Sequence, residues 1–259
     1  MGGAPRGATE SVEAVVIARQ DHGEADRVVR WLCAERGRGA GIARGARRAN
    51  SRFGAALEPT QHVRLLLRRR GGGLDVIEDA ELLDPHTRTR DDLDRLALAA
   101  HATELIGGLA REEQPEPRLF GLLQTALLLI DASSAAPGDA MRLGLEAKAL
   151  TFAGLLAPLD RCARCGEAAE LGRAWAVHPH TGAAGHPGCV GSDGECTGAF
   201  ALALEGARRR PLRETLDLPA PEGPHWVLCG VIEAHIGRAL RARSMLAPTP
   251  IVQPTAAIR

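Results

Sequence analysis

Apolar residues fall in short strand-length runs over the first third of the chain and at helical spacing afterwards. Val12 to Ala18 (VEAVVIA) reads as a strand. A polar turn, Asp21 to Asp26, leads to a second run, Arg27 to Cys33, in which apolar and polar residues partly alternate. A Gly-rich link, Gly37 to Gly41, precedes a short apolar piece, Ile42-Ala43. His62 to Leu67 and Leu74 to Leu83 complete the set, with Arg68 to Gly73 (RRRGGG) as the turn between them. Roughly five short strands separated by Gly-rich turns predict a small barrel or sandwich.

After Pro85 the period changes. Leu93, Leu96, Ala100, Thr103 and Leu105 predict a helix over Asp91 to Gly107, with Asp91, Asp92 and Asp94 suiting its start. Pro117 opens a second helix through Ile130, and SSAAPG (Ser133 to Gly138) breaks it. A third runs from about Asp139 to Leu156 and ends before Pro158. The last helices are predicted over Ala203 to Arg209 and Pro224 to Ser244. The resulting class is α+β: a barrel domain over 1–84, a helical domain over 85–160 and 200–248, a Cys-rich insert over 161–199, and a flexible tail over 249–259.

Charge sharpens this picture. Formal net charge is zero, yet Arg27 to Arg70 holds twelve arginines against two acids, Glu35 and Glu58. Asp75 to Glu113 offsets it with eleven acids against four arginines. Lys148 is the only lysine, so the choice of Arg over Lys reads as coding bias, but the clustering does not. A folded face of that sign attracts a polyanion and releases its counterions; alternatively it is a solvated surface that keeps the chain in solution. The heart of the cluster is Arg44-Gly-Ala-Arg47-Arg48-Ala-Asn-Ser-Arg52-Phe53-Gly54. Guanidinium forks match phosphate bidentately, and Phe53 could stack on a base or sit in the core. Arg27, Arg44, Arg47, Arg48, Arg52, Arg68, Arg69 and Arg70 are therefore the candidate nucleic-acid contacts.

Six cysteines in a chain that reads as cytosolic suggest metal or spare thiols before disulfides. Cys162-Ala-Arg-Cys165-Gly is a knuckle whose two thiolates can grip one tetrahedral zinc. Cys189 and Cys196 supply the second pair, although six residues separate them. His186, three residues before Cys189, is the competing fourth ligand, and His178 and His180 are weaker ones. Cys33 and Cys229 read as core residues.

Enzymatic signatures are missing. Lys148 is flanked by alanines and belongs to no phosphate-binding loop, no GxSxG or HExxH occurs, and His22-Gly-Glu24 lacks the PCxxC of zinc deaminases. The acids at 91, 92 and 94 suit a helix start better than a metal site. No apolar run of about eighteen residues could span a membrane, and Met1 to Glu10 lacks the apolar core of a signal peptide. The expectation is a cytoplasmic, non-enzymatic protein.

The order Gly23-Glu-Ala-Asp-Arg27, Gly41-Ile-Ala-Arg-Gly45-Ala-Arg-Arg48, Ser51-Arg-Phe-Gly54 and Leu57-Glu-Pro59 resembles the N-terminal OB-fold of the bacterial recombination mediator family RecO. Leu119-Phe-Gly-Leu-Leu123, the Leu-rich stretch from Leu150 into Cys162 and Cys165, and Arg243-Ser244 extend the likeness to about Leu246. The resemblance implies an OB-fold, a helical domain and a zinc-binding element. It further implies binding of single- and double-stranded DNA, annealing of complementary strands and loading of RecA onto strands coated by single-strand-binding protein. RecR, and in many bacteria RecF, would be partners, as would the acidic C-terminal tail of single-strand-binding protein. That tail would enter an apolar groove with basic residues in the helical domain, for which the Arg238 to Arg243 end of the last helix is a candidate. Such a protein would be nucleoid-associated. The competing reading is a zinc-stabilised, non-enzymatic adaptor whose arginine face binds RNA or an acidic protein.

Overall fold

Along His62–Arg68 the alternation is cleanest: Val63, Leu65 and Leu67 are buried, while the residues between them are half-buried or exposed. Elsewhere in the barrel of the computed structural model, which describes residues 7, 9–70 and 73–246, the alternation is interrupted where consecutive residues are buried, as at Ala14 to Val16 and Trp31 to Cys33. The expected tail at 249–259 and the middle of the Arg68 to Gly73 turn lie outside the described residues. Strands β1 (Thr9–His22), β2 (Asp26–Cys33), β3 (Gly37–Ala43), β4 (His62–Arg68) and β5 (Asp75–Asp84) close into a barrel in the order β1-β2-β3-β5-β4. Neighbours are antiparallel except β3 and β5, which run parallel. This is an OB-fold, as expected. Val12, Ala14, Val16, Val29, Trp31 and Ile77 are among the side chains that fill its interior.

The Gly37 to Gly41 stretch is a strand rather than a link. Gly39 lies directly opposite Trp31 and Gly41 opposite Val29, so the missing side chains make room for the indole. A glycine run carries no hydrophobic pattern, which is why alternation failed to reveal it.

The chain divides into two compact units, residues 1–136 and 137–259. In the first, the barrel is followed by α1 (Thr87–Arg90), α2 (Leu93–Leu109) and α3 (Pro117–Ala132). Asp92 caps α2, its carboxylate accepting from the N–H groups of Asp94 and Arg95. Asp92 is thus a capping residue, and Pro117 starts α3 as predicted. The buried Arg95 guanidinium donates to the carbonyls of Ile130 and Ser133, satisfying the end of α3. Gly107 of α2 packs on Ile17 of β1; a Cβ there would stand 3.0 Å from its Cδ1.

The second unit contains α4 (Asp139–Phe152), a three-stranded sheet of β6 (Ala174–Val177), β7 (Ala184–Gly185) and β8 (Glu195–Thr197), the short α5 (Pro187–Val190), α6 (Gly198–Arg209) and α7 (Val227–Ile236). The helices expected in one helical domain are therefore divided, α1 to α3 lying in the barrel's unit. The helix predicted over Pro224 to Ser244 stops at Ile236, where Gly237 takes a left-handed conformation (φ 78°). Only a 3₁₀ turn, Arg241–Met245, follows. Cys33 and Cys229 are buried, as expected of core residues. Among the described residues no helix is long and apolar enough to cross a membrane.

Candidate nucleic-acid interface and metal centre

The barrel sorts the arginines by the acids it brings to them. Arg27 donates to Asp21 (3.1 Å) and Glu58 (3.2 Å), and its side chain is 18% exposed. Arg68 pairs with Glu78, and Arg69 lies among Glu10, Asp75 and Glu113. Arg47 donates to the Gly23 carbonyl at 2.7 Å and faces Asp21 at 3.3 Å. Arg30, Arg44, Arg48, Arg52 and Arg70 are exposed, with no acidic partner among the described residues. Charge along the sequence overstated the patch because β1 and β5 carry acids to several of its members. The outer surface of β4 and β5 is largely an ion-pair ladder, Arg64 with Glu81 and Arg68 with Glu78.

Arg44, Arg48 and Arg52 ride on the segment from β3 to β4. It is a chain of tight turns: Arg48 N–H donates to the Gly45 carbonyl, Ser51 to Arg48, Gly54 to Ser51 and Ala56 to Phe53. Ala46, Phe53, Ala56 and Leu57 anchor it by pointing into the barrel core. Burying a Phe side chain stabilises by about 2 to 3 kcal/mol, enough to order such a segment. Phe53 is 3% exposed, with the Arg52 guanidinium 4.9 Å from its ring centroid. The base-stacking reading of Phe53 is thereby excluded in favour of the core reading.

In the second unit Cys162, Cys165, His186 and Cys189 bring four donor atoms within 4.8 Å of one another. Two short turns do this. Cys162 and Cys165 flank a knuckle closed by the Gly166 N–H on the Cys162 carbonyl, with Gly166 at φ 78°. His186 caps α5, and its carbonyl accepts from the Cys189 N–H, so both side chains leave one turn together. Cys165 Sγ lies 3.5 Å from His186 Nδ1. Bonds to zinc of about 2.3 Å for sulfur and 2.0 to 2.1 Å for nitrogen give donor separations of this order in a tetrahedron, so the set fits such an ion. Burial opposes ionisation of Cys162, but the N–H groups of Cys165, Arg164 and His186 aimed at its sulfur outweigh it and lower its pKa to about 6. Desolvation and the neighbouring Cys162 and Cys165 sulfurs push the Cys189 thiol up instead.

Cys196, expected as the fourth ligand, stands apart. It lies on β8 opposite Trp175, and burial together with Glu195 pushes its thiol up to about 12. Its strand pairing fixes it outside the cluster, and His186 takes that corner. The two matched spacings, Cys-x-x-Cys and His-x-x-Cys, were the signal for this set. Three supporting residues left no such signal. Trp175 meets the His186 ring edge-on at 5.0 Å, and the Glu167 carboxylate stands 3.7 Å from His186 Nε2, where it can orient the imidazole. Gly185 completes the cradle, since a Cβ there would come within 2.5 Å of Cys162 Sγ. The weaker candidates His178 and His180 lie outside the cluster.

Comparison with known proteins agrees with both halves. The family described as "Recombination protein O N terminal" matches residues 8–86, and "Recombination protein O C terminal" matches 90–219. The chain belongs to the RecO family. It is 38% identical over 242 residues to the DNA repair protein RecO of Anaeromyxobacter dehalogenans (strain 2CP-C), a span covering 90% of this chain and 93% of that one. The RecO of Geobacter metallireducens is 34% identical over 241 residues, covering 90% and 95%, and that of Myxococcus xanthus 32% over 240, covering 91% and 96%. A role in DNA repair and recombination follows from RecO membership.

Proposed function

We propose that this protein is a non-enzymatic mediator that binds single- and double-stranded DNA, anneals complementary strands and, with RecR, helps RecA load onto strands coated by single-strand-binding protein. The observation that carries this reading is the set of exposed, acid-free arginines, Arg44, Arg48 and Arg52, on a segment anchored in an OB barrel. Such cations hold backbone phosphates and leave bases free to pair, which suits a protein that brings two strands together. With no exposed aromatic on that segment, binding rests on charge, tolerates sequence and weakens with salt.

Zinc at Cys162, Cys165, His186 and Cys189 has a structural role in this reading: four protein ligands leave no open position for a substrate. For the acidic tail of single-strand-binding protein, the second unit has an open groove between α4 and α6 with Ala140, Ala203, Ala207 and Leu218 in its walls and Arg210 at its rim. Arg210 is exposed, whereas Arg208 and Arg209 are tied to Glu205. An apolar wall beside an uncommitted guanidinium suits a peptide ending in apolar side chains and a carboxylate. This groove fits better than the Arg238 to Arg243 stretch, which lies beyond the end of α7 and where burial lowers the pKa of Arg243.

The deciding experiment is annealing of complementary strands pre-coated with single-strand-binding protein. Annealing faster than the uncatalysed rate, suppressed by removal of that protein's acidic tail, is the expected result. Equal or tighter binding to RNA, with no annealing of coated DNA, would favour the adaptor reading instead.

A further inference from the structure

The β1–β2 hairpin touches the arginine segment at both of its ends. At the near end the Asp26 carboxylate accepts the Gly45 N–H at 2.8 Å, and the Ala25 carbonyl accepts the Arg47 N–H at 2.9 Å. The Arg47 guanidinium returns to the hairpin, donating to the Gly23 carbonyl at 2.7 Å and facing Asp21 at 3.3 Å. At the far end Glu58 is held by Arg19 at 2.7 Å and Arg27 at 3.2 Å, both on the hairpin strands. Asp21 also pairs with Arg27, so one acid serves both ends. Gly45 itself sits at φ 69°, a conformation favourable to glycine, and the acceptor at Asp26 fixes its N–H.

We propose that this hairpin is a brace that presets the segment, with Asp26 a positioning residue and Arg47 a strut instead of a phosphate ligand. The proposal rests on the reading that the segment holds a nucleic-acid backbone. It assigns opposite duties to neighbouring exposed arginines: Arg47 is tied to the hairpin through Gly23 and Asp21, while Arg44, Arg48 and Arg52 have no acidic partner among the described residues. It also assigns two acids to a surface that binds a polyanion, where charge alone would disfavour them. Ordering the segment before binding removes the entropy cost of ordering it on the ligand.

Asp26→Asn and Asp26→Ala remove the same charge, but only Asn keeps an oxygen that can accept from Gly45. If Asp26 acted through charge alone, both variants of the full chain would bind single-stranded oligonucleotide more tightly than the parent, and equally. The brace predicts Asp26→Asn within about twofold of the parent and Asp26→Ala about tenfold weaker at unchanged salt slope, the factor for one lost hydrogen bond of about 1.4 kcal/mol. Equal affinity of the two variants overturns it. Arg47→Lys against Arg48→Lys gives a second, charge-conserving pair should Asp26→Ala not fold. The former loses its fork to Gly23 and Asp21 and weakens binding severalfold, the latter stays near the parent, and equal effects overturn the assignment. If the parent shows no salt-dependent DNA binding, the DNA reading falls, and amide exchange at Gly45 and Arg47 decides the brace. It predicts protection in the parent and Asp26→Asn that is lost in Asp26→Ala; unchanged protection overturns it.

Discussion

Trp31 on β2 stands directly across the ladder from Gly39 on β3, and a methyl group at position 39 would meet the indole at 2.7 Å. The same ring would meet a methyl at Gly41 at 3.1 Å. The widest side chain of the barrel is accommodated by two residues with no side chain, and with 1% exposure Trp31 has nowhere else to go.

Gly39→Ala therefore destabilises the barrel. Overpacking a filled core costs about 1 to 3 kcal/mol, because the indole must leave its rotamer or β3 must shift. Denaturant unfolding followed by tryptophan fluorescence, with Trp175 and Trp226 replaced by Phe in both parent and variant so that only Trp31 reports, checks this. A midpoint equal to the parent's would mean that the indole moves freely.

Metal content tests the cluster. Purified protein is expected to carry about one zinc per chain, as a closed four-ligand site requires. Cys162→Ser and His186→Ala lose most of it, and Gly185→Ala does too because the new Cβ would sit 2.5 Å from Cys162 Sγ. Cys196→Ser keeps its metal, since β8 holds that thiol away from the cluster. Elemental analysis of the four variants checks the set, and metal lost in Cys162→Ser and Cys196→Ser but kept in His186→Ala would reinstate the four-cysteine arrangement.

What could be read from the chain follows from which physical signals are local. Alternation in His62–Arg68 and helical spacing after Leu93 are local, and both elements lie where they were expected. Gly37 to Gly41 was opaque because its strand character comes from Trp31 on the neighbouring strand. The stop at Gly237 was missed because an isolated glycine in an apolar pattern reads equally as interior or cap. In the cluster, Cys162, Cys165 and Cys189 were legible from spacing, but choosing His186 over Cys196 required knowing that β8 pairs with β6. The arginine patch was legible as charge, while its sorting into acid-paired and acid-free side chains was not, because Glu10, Asp21 and Glu78 arrive from other strands.

That sorting predicts a graded salt response. Removing one phosphate contact lowers the salt slope of single-strand binding by about 0.7. Arg44→Ala, Arg48→Ala and Arg52→Ala each produce this decrease, with Arg52→Ala also uncovering Phe53. Arg27→Ala and Arg68→Ala leave the slope unchanged, because those side chains are committed to Asp21, Glu58 and Glu78. Equal slopes across all five variants would place the phosphates elsewhere on the protein.

Glu205 on α6 is expected to contribute to the acid sensitivity of the second unit. Burial raises the cost of its charge, but the Arg208 guanidinium, the Leu159 N–H at 3.1 Å and Arg209 more than offset it, and its pKa lies below the ordinary 4.5. A carboxylate whose folded pKa is depressed contributes stability that is present above the unfolded value and lost as pH falls through the folded one. Stability should thus hold near neutral pH and fall below about 4.5. Glu205→Gln keeps an acceptor for Leu159 but loses the charge between Arg208 and Arg209, so it lowers stability at pH 7 by about 1 to 3 kcal/mol. It also flattens the decline at acid pH, because the titrating group is gone. Melting curves of the parent and Glu205→Gln from pH 7 to 3 read both effects, and parallel curves would assign the acid sensitivity to another carboxylate.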